Sequence, residues 1–222
     1  MIQVVGIGAG GHAKVVLDIL RLMNEYHIVG LLDPNCVGEI VSGVPVLGGD
    51  ELLPRLRAEG VAAAFIAVGG VGDNTLRIRL FEKAQAAGFS FINAIHPAAV
   101  LAPSVQLGQG VAIMAGAIVN PDTCIGDNVI INTGAIVEHD CEIASHAHIS
   151  PGAVLCGGVR VGIGAHIGAG ATVRQYVTVG ERALMGAGAV LIKDVPPGVV
   201  VVGVPARILS AKGGTASGDG VH

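Results

Sequence analysis

From Ile95 to Pro196 the chain repeats every six residues without a slip. The first position holds Ile95, Leu101, Leu107, Ile113, Val119, Ile125, Ile131, Val137, Ile143, Ile149, Leu155, Val161, Ile167, Val173, Val179, Met185 and Leu191, all seventeen large and apolar. The fifth position runs from Ala99 and Val105 through Cys141 and Ala147 to Ala189 and Val195, and every occupant is small. An amphipathic helix repeats every 3.6 residues and a half-buried strand every 2, so neither accounts for a period of six. A hexapeptide period is that of a parallel β-helix, in which each repeat supplies one short strand and one corner.

The composition agrees with such a narrow interior. Half the residues are hydrophobic, yet only 3% are aromatic and none is Trp, so the core is built from Val, Ile, Leu and Ala. A net charge of −4 gives no argument for a nucleic-acid or anionic-membrane partner. No apolar run approaches the ~20 residues of a transmembrane helix, so no membrane insertion is expected. Met1 leads straight into a strand-like run with no basic segment before it, which predicts no signal peptide. Cys36, Cys124, Cys141 and Cys156 form no CxxC pair, and the plain reading is a reducing cytoplasm.

Residues 1–94 read differently. Strand-like runs at 2–8, 28–32, 64–68 and 89–92 alternate with helical spacing from Ala13 onward and over 74–87, where Leu76, Leu80, Phe81 and Ala84 share a face. Residues 50–58 suit a short helix compromised by Pro54, and 33–49 read as turns. This predicts a small Rossmann-like α/β domain with a parallel sheet, whose ligand edge is the carboxyl ends of the strands. Gly6-x-Gly8-x-x-Gly11 and Asp33 match the dinucleotide fingerprint. Two readings stand: amides cradling a phosphate at a helix N-terminus, or a glycine-rich turn with no ligand. No second half follows, so bound NAD is not expected. Residues 197–209 can cap the far end of the β-helix, and the polar, Gly-rich stretch 210–222 reads as disordered.

His139 sits between Glu138 and Asp140. It suits a general base whose pKa the carboxylates raise, or equally a solvated corner histidine. His146 alternates with His148 and is expected to face solvent, while His148 is either a ligand contact or a corner filler. Three histidines also admit a zinc site between subunits, the runner-up being a metal-bearing β-helix trimer of the γ-carbonic anhydrase kind. Cys141 lies in the small-residue column and reads as core.

Several stretches together resemble one family, the sialic-acid O-acetyltransferases and the bacillosamine- and perosamine-type sugar N-acetyltransferases. They are Gly8-Ala-Gly-Gly-His12-Ala-Lys14, Asp33-Pro34, Asn132…Glu138-His139-Asp140, His148-Ile-Ser-Pro-Gly and Gly203-Val-Pro-Ala-Arg207, spread over residues 2–209. The resemblance implies a left-handed parallel β-helix over 95–196, a homotrimer, and acetyl transfer from acetyl-CoA to the 4-amino group of a UDP- or GDP-linked 4-amino-4,6-dideoxy sugar. Its alternative within the family is O-acetylation of a sialic-acid-type sugar. Carried over, His139 is the general base and Asp140 the carboxylate behind it. Asn132 contacts the sugar, Gly10, Gly11 and His12 the diphosphate or sugar, and Asp33, Pro34 and Gly69 the nucleoside. His148 comes from the facing subunit to the acetyl end of the coenzyme, Ala169 and Ala187 line its groove, and no metal is required. In the hexapeptide proteins that the repeat resembles, three hexads close one coil. Eighteen residues per coil stacks His148 under His166 and Ala169 under Ala187, and leaves His139 half a coil from His148. A shared site then needs two subunits.

Overall fold

In the computed structural model, which describes residues 1–211, the N-terminal domain is a six-stranded sheet. Strand β1 (Ile2–Ile7) runs into helix α1 (Gly11–Met23), which returns through β2 (Tyr26–Leu32). A hairpin follows, β3 (Ile40–Val41) and β4 (Val44–Gly48), where turns were expected. Ser42 and Gly43 both take positive φ (47° and 76°), the two-residue turn whose twist matches a hairpin. A 3₁₀ turn at Asp50–Leu52 leads into α2 (Leu53–Ala58), and Pro54 sits in its first turn, where no intrahelical N–H is lost. Then come β5 (Ala63–Ile66), α3 (Thr75–Ala86) and β6 (Ser90–Phe91). The order β3-β4-β2-β1-β5-β6 reverses direction between β1 and β5, and that switch point is where open α/β sheets bind ligands.

From Ala94 the chain winds into a left-handed parallel β-helix. Seventeen two-residue strands, Ala94–Ile95 to Val190–Leu191, stack into three sheets with partners eighteen residues apart, as in Ile113↔Ile131 and Ile131↔Ile149. The first position of the hexad points to the axis and the fifth fills the space beside it; Ile149, Cys141 and Ala147 are all buried. The fourth position is a left-handed corner. From Gly110 to Gly188 every sixth residue has a φ between 53° and 69°, including the non-glycines Asp122, Asn128, Asp140, His146, Tyr176 and Arg182.

The sixth position points outward, and the three faces differ in chemistry. One face carries Ala94, Ala112, Ile130, His148 and His166, all buried, the first three packing into the core of the N-terminal domain. The second carries Val100, Ile118, Ile136, Val154, Thr172 and Val190, an apolar stripe left partly open. The third carries Gln106, Cys124, Glu142, Arg160 and Thr178 and is polar. The period slips once. Val195 bridges Val179, sixteen residues away, so the last coil closes two residues early. Val199–Val202 then extends the covered face and pairs antiparallel with Arg207–Ala211, closing that end. Residues 212–222 of the expected disordered stretch lie outside the described residues.

Candidate active site

The corner after strand Ile136–Val137, between the apolar and polar faces, presents His139 and Asp140. Asp140 takes the left-handed conformation (φ 59°), which turns its carboxylate back onto the preceding ring. His139 Nδ1 lies 2.7 Å from Asp140 Oδ2, and both side chains are exposed. That hydrogen bond, aided by the charges of Asp140 and Glu138, raises the pKa of His139. A proton held on Nδ1 leaves Nε2 as the acceptor. The ring lies over the next rung: a Cβ on Gly157 would stand 2.7 Å from His139 Nε2, so a side chain there would push the ring aside. The Gly157 amide donates no hydrogen bond among the described residues. One rung further, the Tyr176 ring lies across Gly158.

His148 lives in a different setting. It lies on the covered face, 6% exposed, with Nε2 3.1 Å from Asn132 Nδ2 and its ring edge-on to His166 at 4.8 Å. Burial first, then the neighbouring His166 and Arg77, push its pKa down to about 3, so it is a neutral imidazole near pH 7. The cleft around it, about 490 Å³, is lined by Gly70–Gly72, Asn132, Ser150, His166, Ala169 and Ala187 among others. Ala169 and Ala187 stack at the corner beside this face, joined by the Gly188 N–H to Ala169 carbonyl bond, and their own amides donate to no described residue. Asn132, His148, Ala169 and Ala187 therefore come together within one chain. His139 stands at another corner and lines no part of this cleft.

The N-terminal ligand edge meets the same cleft. Gly8 needs its positive φ of 108°, and beyond it Gly10 and Gly11 open α1 with nothing within 4 Å of their missing side chains. The Asp33 carboxylate accepts from the amide of Ala9 at 3.1 Å and from Asn35, which fixes the β2 end beside the β1 loop; Pro34 is exposed next to it. Gly69, at the end of β5, lies against the His12 ring, and its neighbour Gly70 reaches the His148 cleft. His12 Nε2 is buried with no hydrogen-bond partner among the described residues, and burial and Arg77 take its pKa down to about 3.

Comparison with known proteins places this geometry. Residues 3–84 match the PglD N-terminal domain, and 122–157 the bacterial transferase hexapeptide repeat. Perosamine N-acetyltransferase from Caulobacter crescentus, solved as a histidine-to-asparagine mutant with CoA and GDP-perosamine, is 48% identical, with a TM-score of 0.89 over 94% of this chain and 97% of that one. The chain belongs to this N-acetyltransferase family. The acetyltransferase domain of PglB from Neisseria gonorrhoeae, solved with acetyl coenzyme A, is 42% identical, with a TM-score of 0.87 over 94% of this chain and 99% of that one. UDP-N-acetylbacillosamine N-acetyltransferase of Bacillus subtilis is 36% identical over 109 residues, 49% of this chain and 50% of its own length. A mimivirus protein, L142, matches at 33% over 104 residues, 19% of its length.

Within this family member two sequence expectations need correction. His146 does not face solvent. It sits half-buried at the opposite corner, bonded to Asn128 Nδ2 at 3.0 Å and edge-on to Phe81, and burial lowers its pKa. The expected apolar face of α3 holds at Leu80, Phe81 and Ala84 but not at Leu76, which is 48% exposed, and Arg77 is buried in its stead. Arg77 Nη1 donates to the carbonyls of Ile66 and Val68 at the β5 end, and Nε to Asn128 on the β-helix. Asn74 joins the seam by donating to the carbonyls of His146 and Gly164. Arg77 was not singled out from sequence because a charged residue on a helix is ordinarily solvated, and Asn74 because an Asn just before a helix reads as a cap. The residues at 139, 146 and 148 fall on two corners and a face, and no group of three metal-capable side chains forms among the described residues. Among these residues too, no helix is long and apolar enough to cross a membrane.

Proposed function

We propose that the protein transfers the acetyl group of acetyl-CoA to the 4-amino group of a nucleotide-linked 4-amino-4,6-dideoxy sugar. The observation that carries the reading is the His139–Asp140 pair, its ring over Gly157, whose amide donates to no described residue. A neutral amine attacks the thioester carbon, and the C–N bond forms as Nε2 of His139 takes the amine proton. The Gly157 N–H receives the oxyanion. Collapse breaks the C–S bond, and the proton passes from His139 to the coenzyme thiolate. Alignment supplies most of the acceleration, and the base adds roughly 10²–10⁴-fold.

Substrate and coenzyme follow from the two edges. The diphosphate lies at Gly10, Gly11 and His12, where His12 acts as a neutral hydrogen-bonding group, and the nucleoside lies by Asp33, Pro34 and Gly69. The thioester end of the coenzyme meets Asn132 and the neutral His148, and its arm climbs past the free amides of Ala169 and Ala187. His139 of one subunit completes the cleft of the next, in a homotrimer. The open apolar stripe from Val100 to Val190 supports such a ring, since a stripe six rungs long needs a cover. GDP-perosamine occupies the 48% identical structure, so the GDP-linked amino sugar is the better substrate of the two in this proposal. Thiol release from acetyl-CoA is to be followed with GDP- and UDP-linked 4-amino sugars and with free sialic acid. Turnover of sialic acid alone would replace amine transfer with O-acetylation, and no turnover of any would overturn the reading.

A further inference from the structure

Five cations stand between residues 94 and 211, and three of them are engaged. Arg160 pairs with Glu142 at 3.4 Å and Arg182 with Glu181 at 3.6 Å. Arg207 donates to the carbonyls of Pro205 and Ala206. Arg174 and Lys193 are exposed, and their side chains bond to no other described residue. The nearest acid in sequence, Asp194, is turned to the amide of Thr178 at 2.8 Å.

The two free cations share the corner of His139. The Gly158 amide donates to the His139 carbonyl and the Tyr176 amide to that of Gly157, so rungs 139, 157 and 175 are stacked in order. Val173 pairs with Leu191, which makes 192–194 the third rung, and the early closure at Val195 leaves Lys193 in the middle of a three-residue corner. At ~4.8 Å per strand layer, Arg174 stands roughly 10 Å and Lys193 roughly 14 Å above His139. The arm of coenzyme A, from thioester sulfur to the first phosphorus, is roughly thirteen bonds long. An extended chain advances about 3.3–3.6 Å per three bonds, which makes the arm about 15 Å. An acetyl group beside His139 thus puts the pyrophosphate at the rung of Lys193. Ala169 and Ala187 climb in the same direction, away from the thioester end.

We propose that Lys193, with Arg174 one rung below, binds the phosphates of the coenzyme across the subunit cleft. The proposal rests on the acetyl-CoA reading and adds to it the anchor of the coenzyme's charged end. Lys supplies a compact charge and Arg a two-pronged donor, and neither has a competing carboxylate to give up.

The test is calorimetric titration of CoA, 3′-dephospho-CoA and pantetheine into the full-length protein and the variants Lys193→Ala, Arg174→Ala and the double variant. CoA binding is expected to weaken about tenfold for each single change, the size of one charge-assisted contact, with pantetheine binding unchanged. Lys193→Arg retains most of the affinity, and Lys193→Ala raises the KM for acetyl-CoA. The salt dependence of CoA affinity flattens in the double variant. Variants that bind CoA as tightly as wild type, or that lose pantetheine and CoA alike, overturn the proposal. If the wild-type protein binds no CoA, the acetyl-CoA reading falls as well.

Discussion

His139 and His148 are nine residues apart on one solenoid, and they have opposite proton chemistry. His139 stands in solvent at a corner, where the adjacent carboxylate raises its pKa. His148 lies on a face that the N-terminal domain covers, where burial and the nearby Arg77 and His166 hold it neutral. Both ride on the same stack of two-residue strands, His139 at a corner after one strand and His148 on another. What separates them is cover: a corner remains wet, whereas a covered face loses the solvation that an imidazolium requires. A repetitive scaffold can thus set a base beside a neutral hydrogen-bonding group by choosing which face a second domain closes.

The largest test of that contrast removes the wet member. His139→Ala should lower kcat by roughly 10²–10⁴-fold while CoA affinity, measured by titration, stays within about twofold. Unchanged turnover would end the assignment of the base. Next is the cover itself. Arg77→Met leaves the Ile66, Val68 and Asn128 carbonyls without their buried donor and should cost about 2–3 kcal/mol in a urea titration. It also removes a charge that disfavours imidazolium at His12 and His148, so NMR titration should find both pKa values higher than in wild type.

Asp140→Asn sharpens the other side. The Asp140 hydrogen bond is the main cause of the raised pKa of His139, so its loss moves the acid limb of kcat/KM to lower pH. The weaker base should lower kcat about tenfold. An unmoved limb would mean that His139 titrates without help from Asp140. His148 has a folded pKa near 3 against the ordinary 6.5, so the unfolded chain binds a proton that the folded one refuses. Its share of stability is present above about pH 6.5 and is lost progressively as pH falls toward 3. The denaturation midpoint of His148→Gln should therefore fall less steeply over that window. The smallest effect belongs to the corners. Gly134→Ala meets no neighbour within 4 Å but inherits a φ of 65°, and about 1 kcal/mol is expected, with Asn costing less.

The expectations that held came from periodic signals. Aliphatic residues at one position in six marked a single buried column, and the eighteen-residue coil of the hexapeptide proteins it resembles stacked His148 with His166, as the strand pairing has it. The fourth position carried a pattern too, with Gly, Asn and Asp recurring at the left-handed corners. The hairpin at 40–48 had its Ser-Gly turn in plain view between two apolar runs. Arg77, Asn74 and His146 carried no such signal, because each is defined by contacts across the domain seam, between residues 51 to 90 positions apart.

By itself the sequence determined a β-helix of hexads, an α/β domain before it, and a histidine between two carboxylates, because period and adjacency are local quantities. Only the tertiary structure decided which face is covered, that an arginine on α3 is interior, and that Asn132 and His148 share a cleft His139 does not line. Those outcomes depend on how one domain lies on the other. Burial, and with it the protonation of each histidine, is a property of that contact rather than of any run of residues.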